Sequence, residues 1–201
     1  MSKPLAALFV DCDSYFASVE QHLDPALRGR PVGVAPVMAE SSCCIAASYE
    51  AKAFGVKTGT PIYEAKKMCP GLICVLGRHN NYVEFHERIL DEIDRHIPVT
   101  AVCSIDEMAC ALMKNEVSVA RCTEIAKSIK AGLAKNIGEY VRCSIGIAPN
   151  KYLAKVATDL QKPDGLTVLQ PQDLGRLLEL KLRDLPGVGP NMENRLHHAG
   201  I

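Results

Sequence analysis

The sequence predicts an α+β fold, a ferredoxin-like βαββαβ core with a large insertion after its first strand. Three observations carry that expectation. The apolar run "LAALFV" (5–10) stops at Asp11, the pattern of a strand buried on both faces. Between residues 80 and 148 the hydrophobic period switches from helical to extended and back, in the order helix, strand, strand, helix, strand. The long stretch between the first strand and residue 80 has its own strand-like run, so it reads as a small inserted unit.

The elements follow in order. "RPVGVAPV" (30–37) suits a strand broken by Pro36. Tyr82, Phe85, Ile89, Ile93 and Ile97 fall at helical spacing with charges between them. Asn80 or Asn81 supplies the cap and Pro98 ends the helix. "VTAVCS" (99–104) and "MACALM" (108–113) read as two strands flanking Ile105–Glu107, without a Gly-rich turn between them. Cys122, Ile125, Ala126, Ile129 and Leu133 share one face of a second helix that stops near Gly138. "YVRCSIGIA" (140–148) is a further strand. Pro149 or Asn150 then opens a third helix through "KYLAKVATDLQ", and "KPDG" (162–165) is a turn.

The totals narrow the functional classes. A chain of 201 residues, 48% hydrophobic, suits one large or two small domains. Lys plus Arg (23) equals Asp plus Glu (23), so no global charge imbalance announces a nucleic-acid or membrane partner, although a local basic surface fits within a neutral total. The apolar run at the N-terminus is too short for a signal peptide or a span, which predicts a soluble cytoplasmic protein with no membrane partner. The nine cysteines are odd in number and contain no C-x-x-C pair. They read as reduced thiols used as small buried hydrophobes.

"VCSIDEMAC" (102–110) sets Asp106 beside Glu107 in an otherwise uncharged, mostly apolar stretch. In a split βαβ fold the first strand neighbours the central hairpin, so Asp11 would face this pair. Converging carboxylates repel unless protonated or neutralised. A hard divalent cation such as Mg²⁺ takes a few carboxylates plus phosphate oxygens and water. Two such ions, roughly 3.5–4 Å apart, clamp the attacking and leaving oxygens of a phosphoryl displacement. The plainer reading is an exposed turn with two ordinary acids; the flanking apolar strands and Asp11 favour the metal site. Asp13 remains open between a further acid of the site and a cap for the next helix.

Five ordered motifs extend the pattern: "FVDCDSYFASVE" (9–20), "SYEAKAFGVKTGTPIYEAKKMCP" (48–70), "SIDE" (104–107), "CSIGIAPNKYLAKVATDLQKPDGL" (143–166) and "LPGVG" (185–189). Together they resemble the Y-family translesion DNA polymerases, in particular the bacterial UmuC and DNA polymerase IV branches, over nearly the whole chain. The resemblance implies an N-terminal catalytic fragment. A palm would span 1–15 and 80–165, inserted fingers 16–79, and a partial thumb with a helix-hairpin-helix 166–201. A DNA-gripping domain would lie beyond Ile201. The implied activity is DNA-directed DNA polymerisation, from dNTP to a primer 3′-hydroxyl, in error-prone lesion bypass during the SOS response.

The same resemblance assigns residues. Asp11 and Asp106 would bridge two Mg²⁺ ions, Glu107 would bind the ion that activates the primer hydroxyl, and the backbone carbonyl of Cys12 would complete the nucleotide-side ion. Tyr49 and Lys52, on one helix face at i, i+3, would hold the triphosphate together with Lys162. Lys52 stands where many relatives have Arg, a point charge in place of a bidentate fork. Ser14, Tyr15 and Phe16 would offer backbone N–H groups to phosphate, and the Phe16 ring would be the steric gate against a ribose 2′-hydroxyl. Ile45, Ala46 and Ala47 would roof the nascent base pair. Gly187 and Gly189 would present amides to a DNA phosphate.

Implied partners are primer–template DNA, dNTP and, through the region beyond Ile201, a sliding clamp or recombinase filament. With neutral total charge, the fragment itself is expected to hold primer–template poorly. An inactive homologue serving as a DNA-repair scaffold is the alternative, and the retained Asp11, Asp106 and Glu107 weigh against it. A nucleotide cyclase on a similar palm is a third reading, opposed by Tyr49, Lys52 and "LPGVG".

Overall fold

Six consecutive buried residues, Ala7–Cys12, form strand β1, the middle of a five-stranded sheet. The computed structural model describes residues 4–201, so the first three residues of the expected palm lie outside the described residues. After β1 come helix α1 (Tyr15–Leu23), β2 (Val32–Ala35), β3 (Ala46–Ala47), α2 (Tyr49–Lys52), α3 (Ile62–Met68) and β4 (Ile73–Leu76). The chain continues through α4 (His79–Asp94), β5 (Val99–Val102), β6 (Glu107–Ala111) and α5 (Val119–Gly132), which runs on as a π-helical turn to Ile137. Then follow β7 (Cys143–Ala148), α6 (Lys151–Asp159), β8 (Leu166–Val168), two 3₁₀ segments and α7 (Pro190–His198).

The larger sheet has the order β5-β6-β1-β7-β8, with β1 antiparallel to both β6 and β7. This is the mixed α+β arrangement the periodicity predicts, with one addition. Strand β8 pairs in parallel with β7, Ile145–Ile147 against Leu166–Val168, so the sheet runs past residue 165. Three residues are too few to show a period, and only the pairing with β7 makes "LTV" a strand.

Alternation along β1 sorts the two faces. Leu8, Val10 and Cys12 join Met108, Cys110 and Ile145 in a core covered by Tyr82, Phe85, Ile89 and Ile93 of α4 and by Ile125 and Ile129 of α5. Each large apolar side chain buried there contributes about 1.5–3 kcal/mol. The opposite face is built from small residues. Ala7, Ala109 and Ala148 meet Ala154 and Ala157 of α6. Gly146 lets that helix come closest: a Cβ there would lie 2.0 Å from the Ala154 carbonyl oxygen and 2.7 Å from the Thr158 nitrogen. The seat of α6 follows from these small side chains.

The inserted unit is a second sheet, β3-β2-β4, over a small core containing Cys44, Ala47, Ala51, Ile62 and Ala65. It is tied to α1 by Gln21, whose Nε2 donates to the carbonyls of Leu27 (3.2 Å) and Arg30 (3.1 Å). The buried Glu20 carboxylate accepts from the Tyr82 hydroxyl (2.7 Å) and from Arg78 Nε (3.0 Å), fastening α1 to the start of α4.

Six of the nine thiols, including Cys12, Cys110 and Cys143, are buried, and Cys43 and Cys103 are exposed. Burial pushes Cys110 and Cys143 up to about 12, so they remain neutral hydrophobes. Among the described residues no helix is long and apolar enough to cross a membrane. Where the helix-hairpin-helix is expected, the segment that would be its first arm is a single 3₁₀ turn, Leu182–Asp184. Pro186 disfavours helical backbone at the residue before it, which stops that arm early. Gly187 takes φ +83° in the turn, and Gly189 caps α7, whose first residue is Pro190.

Candidate active site

The register of β1 builds the site. Asp11 lies directly opposite Glu107 on β6 and opposite Ser144 on β7. Directly opposed residues of antiparallel strands project from the same face, so the two carboxylates share one side of the sheet. The Cys12 amide donates to the Asp106 carbonyl at 2.9 Å, holding the turn before β6 against the end of β1. Asp11, Asp106 and Glu107 all line one cavity of about 310 Å³. Its other walls are Ser14, Tyr15 and Phe16 at the start of α1, Ile45–Ala47 of the insertion, and Lys52, Lys155 and Lys162. A roomier groove, about 640 Å³, runs along α5, but its lining holds no acid cluster and only one acid–base pair of side chains, Glu124 and Lys127.

Lys155 is the residue sequence reasoning missed. Its ammonium donates to Asp11 Oδ2, lies 3.0 Å from Glu107 Oε1 and reaches Asp159 Oδ2 at 3.3 Å. Lys162 makes a parallel set, 2.8 Å from Asp11 Oδ2 and 3.0 Å from Asp159 Oδ1. Burial works against both ammonium charges, yet Asp11 and then Asp159 outweigh it and hold both lysines above the ordinary lysine pKa. Lys52 differs. Burial, and next the neighbouring Lys162 charge, lower its pKa. A readable signal did exist: Lys155 and Asp159 stand at i, i+4, so they share one face of α6.

Tyr49 is placed differently from the expectation that it reaches into the triphosphate pocket. Its hydroxyl donates to Asp13 Oδ1 at 3.2 Å, it lines a separate small cavity, and its ring lies under the Lys52 ammonium, 4.5 Å from the centroid. Lys52 itself lines the main cavity. Asp13 is neither a wall of that cavity nor a helix cap. Its buried carboxylate accepts from Ser144 Oγ (2.9 Å) and the Asp164 amide (2.7 Å), binding the turn at 162–165 to the end of β1.

Ser14 takes the αL conformation (φ 49°) as the N-cap of α1. Its hydroxyl is buried and, among the described residues, has no hydrogen-bond partner. The first N–H groups of α1 likewise have no partner within the helix. The Phe16 ring stacks on Tyr82 with centroids 4.3 Å apart and planes at 16°. Tyr82 is held in turn by its hydroxyl on Glu20, and the Tyr15 hydroxyl donates to its carbonyl at 2.6 Å. The Phe16 ring is therefore braced from behind where it meets the cavity. Gly187 and Gly189 lie outside that cavity, in the turn leading to α7.

Among the described residues no three His, Cys, Asp or Glu side chains close into a ready-made metal cage. Asp11 and Glu107 are instead bridged by Lys155, and Asp106 accepts from the Ser104 hydroxyl. The donor set is nevertheless hard oxygen throughout, and Mg²⁺ is commonly held by one or two carboxylates with substrate phosphate and water completing the shell. The Ser14 hydroxyl, buried and unpaired at the same cavity, is suited to an added oxyanion. The residues thus fit a cation that arrives with a phosphate. Cys12 contributes no thiolate, since burial raises its pKa well above the ordinary value.

The central mixed sheet, its cross-strand acids and the roofing second sheet make up the catalytic fold of Y-family DNA polymerases. DinB from Sulfolobus solfataricus superposes with a TM-score of 0.84 at 35% identity, over 98% of this chain and 57% of that one. A structure described as an insertion ternary complex of Dbh DNA polymerase gives 0.86 at 34% identity, over 98% of this chain and 58% of that one. The chain belongs to the impB/mucB/samB family, whose model matches residues 10–159. Among curated relatives, DNA polymerase IV of Moorella thermoacetica is 40% identical over 204 residues, covering all of this chain and 50% of that protein. DNA polymerase IV of Stenotrophomonas maltophilia (strain R551-3) is 39% identical, covering all of this chain and 56% of that protein. The chain therefore spans about half the length of the curated relatives it matches.

Proposed function

We propose that this chain is the catalytic portion of a cytoplasmic, DNA-directed DNA polymerase of the Y family, adding dNTPs to a primer 3′-end in error-prone lesion bypass. The observation that carries this reading is the charge of one cavity, lined both by the acids Asp11, Asp106 and Glu107 and by the lysines Lys52, Lys155 and Lys162, two of which pair with the acids. A ligand that suits both sets of charges is multiply anionic and carries a hard cation, as a metal–triphosphate does. The palm would comprise 1–15 and 80–165, its sheet extended by β8, the fingers 16–79, and the partial thumb the remainder.

Asp11, Asp106, Glu107 and the Cys12 carbonyl would hold two Mg²⁺ ions. When bound, these supply primer-hydroxyl activation and neutralise charge on the departing pyrophosphate. Lys52 and Lys162 would take phosphate oxygens, together with the Ser14 hydroxyl and the first amides of α1. In this reading Tyr49 acts through Lys52, whose charge rests on its ring, and through Asp13. The braced Phe16 ring would exclude a ribose 2′-hydroxyl. The turn at Gly187–Gly189 would meet a DNA phosphate. Primer–template DNA and dNTP are the partners, and a clamp or recombinase filament would bind through a region outside this chain.

Calorimetric titration of the chain with a dNTP tests the reading. Binding is expected in Mg²⁺ and to be lost in EDTA; equal affinity in both, or none in either, would remove it. Phe16→Ala is expected to relax sugar discrimination by roughly 10²-fold, the range over which a pocket wall rejects one extra hydroxyl. The comparison is dNTP against rNTP incorporation under single turnover. An unchanged ratio would take the gate away from Phe16.

A further inference from the structure

We propose that Lys155 is a resident counter-cation of the acid pair, one that competes with the divalent metal and withdraws to Asp159 when the metal binds. The inference rests on the reading of Asp11 and Glu107 as metal ligands and concerns a residue which that reading leaves without a role.

Three observations carry it. The Lys155 ammonium contacts the carboxylates of Asp11 and Glu107, the cross-strand pair, and so occupies oxygens that a metal would need. Its side chain is only 17% exposed, so water screens its charge little. A second acceptor is already in contact: Asp159, one helical turn away on α6, lies 3.3 Å from the same ammonium, is 35% exposed, and does not line the cavity. Without a cation between them, the buried Asp11 and the half-buried Glu107 on opposed strands would push apart. Lys155 removes that repulsion and keeps both side chains aimed into the cavity.

The arrangement has a direction. Repulsion from an incoming dication, together with loss of the Asp11 and Glu107 oxygens, drives Lys155 towards Asp159, which takes it over without new backbone contacts. Lys162 shares Asp159 at 3.0 Å, and engagement of that lysine with a phosphate would leave the acceptor to Lys155. Lys155 is thus a positioning residue for the metal-free site and a competitor at the moment of loading.

Mn²⁺ binding to the intact chain, followed by electron paramagnetic resonance without nucleotide, tests this. Lys155→Met removes the charge and keeps the stem, and is expected to tighten Mn²⁺ binding about tenfold, within the usual span of coupling between two ligands. Asp159→Asn removes the acceptor and is expected to weaken Mn²⁺ binding about threefold or more by the same linkage. A merely structural lysine would move the first affinity the other way, because disordered acids bind a metal less well. Unchanged or weaker Mn²⁺ binding in Lys155→Met, or unchanged binding in Asp159→Asn, overturns the proposal. Asp11→Asn separates the two layers. If it binds Mn²⁺ as the parent does, the metal reading itself has failed. If it loses binding while Lys155→Met matches the parent, the metal site stands and the role of Lys155 falls.

Discussion

Asp106→Ala is expected to lower template-directed nucleotide addition by about 10³-fold or more, the consequence of losing several kcal/mol of transition-state charge stabilisation. Its effect on folding should be within about 0.5 kcal/mol. The contrast comes from where the side chain sits. Asp106 is half-buried in the turn before β6, and its carboxylate accepts from the Ser104 hydroxyl two residues away. The ion pairs of the cavity go instead to Asp11, Glu107 and Asp159. The contact that pins this turn to β1 uses the Asp106 backbone carbonyl, which alanine retains. Single-turnover primer extension at saturating primer–template measures the first effect and a denaturant midpoint the second. Undiminished synthesis would remove Asp106 from the chemistry. A large stability loss would mean its carboxylate is structural.

Gly146→Ala is expected to destabilise the chain by about 3 kcal/mol, at the upper end of overpacking costs. One added methyl on β7 would meet the Ala154 carbonyl oxygen at 2.0 Å, the Thr158 nitrogen at 2.7 Å and the Ala157 Cβ at 2.8 Å. Two of these are backbone atoms of α6, so no side-chain rotation relieves the clash and the helix as a whole must lift. The roughly 0.4–1 kcal/mol that alanine gains over glycine through the unfolded chain is too small to compensate. Because α6 carries Lys155 and Asp159, the same substitution should loosen the acid pocket. Gly175→Ala is the control: its Cβ meets nothing within 4 Å, and the midpoint should stay within about 0.5 kcal/mol of the parent. Equal midpoints for both variants would show that α6 does not rest on Gly146.

Much of this molecule was legible in advance because the signals were periodic or abrupt. The alternation of β1 and the helical spacing of Tyr82, Phe85, Ile89 and Ile93 repeat over enough residues to define an element. The acids interrupt apolar strands, where a charge is conspicuous. Strand β8 was not legible, since its three residues become a strand only beside β7. Asp13 was left open between two roles and took a third, accepting from Ser144 and Asp164, partners 131 and 151 residues away. The expectation that Tyr49 faces phosphate comes from the family resemblance, since its spacing to Lys52 says only that the two share a helix face. A four-residue helix leaves its ring free to turn to Asp13 instead.

The amino-acid sequence by itself determined the longer strands and helices of the central unit and made its acids conspicuous, since hydrophobic period and isolated charge are local properties of a chain. Tertiary structure alone decided which cations answer those acids. Lys155 meets Asp11 across 144 residues of sequence, and it does so because the small side chains around Gly146 let α6 settle onto the sheet at that height. An ion pair of this kind depends on a few ångströms of helix position, a quantity set by packing between distant segments.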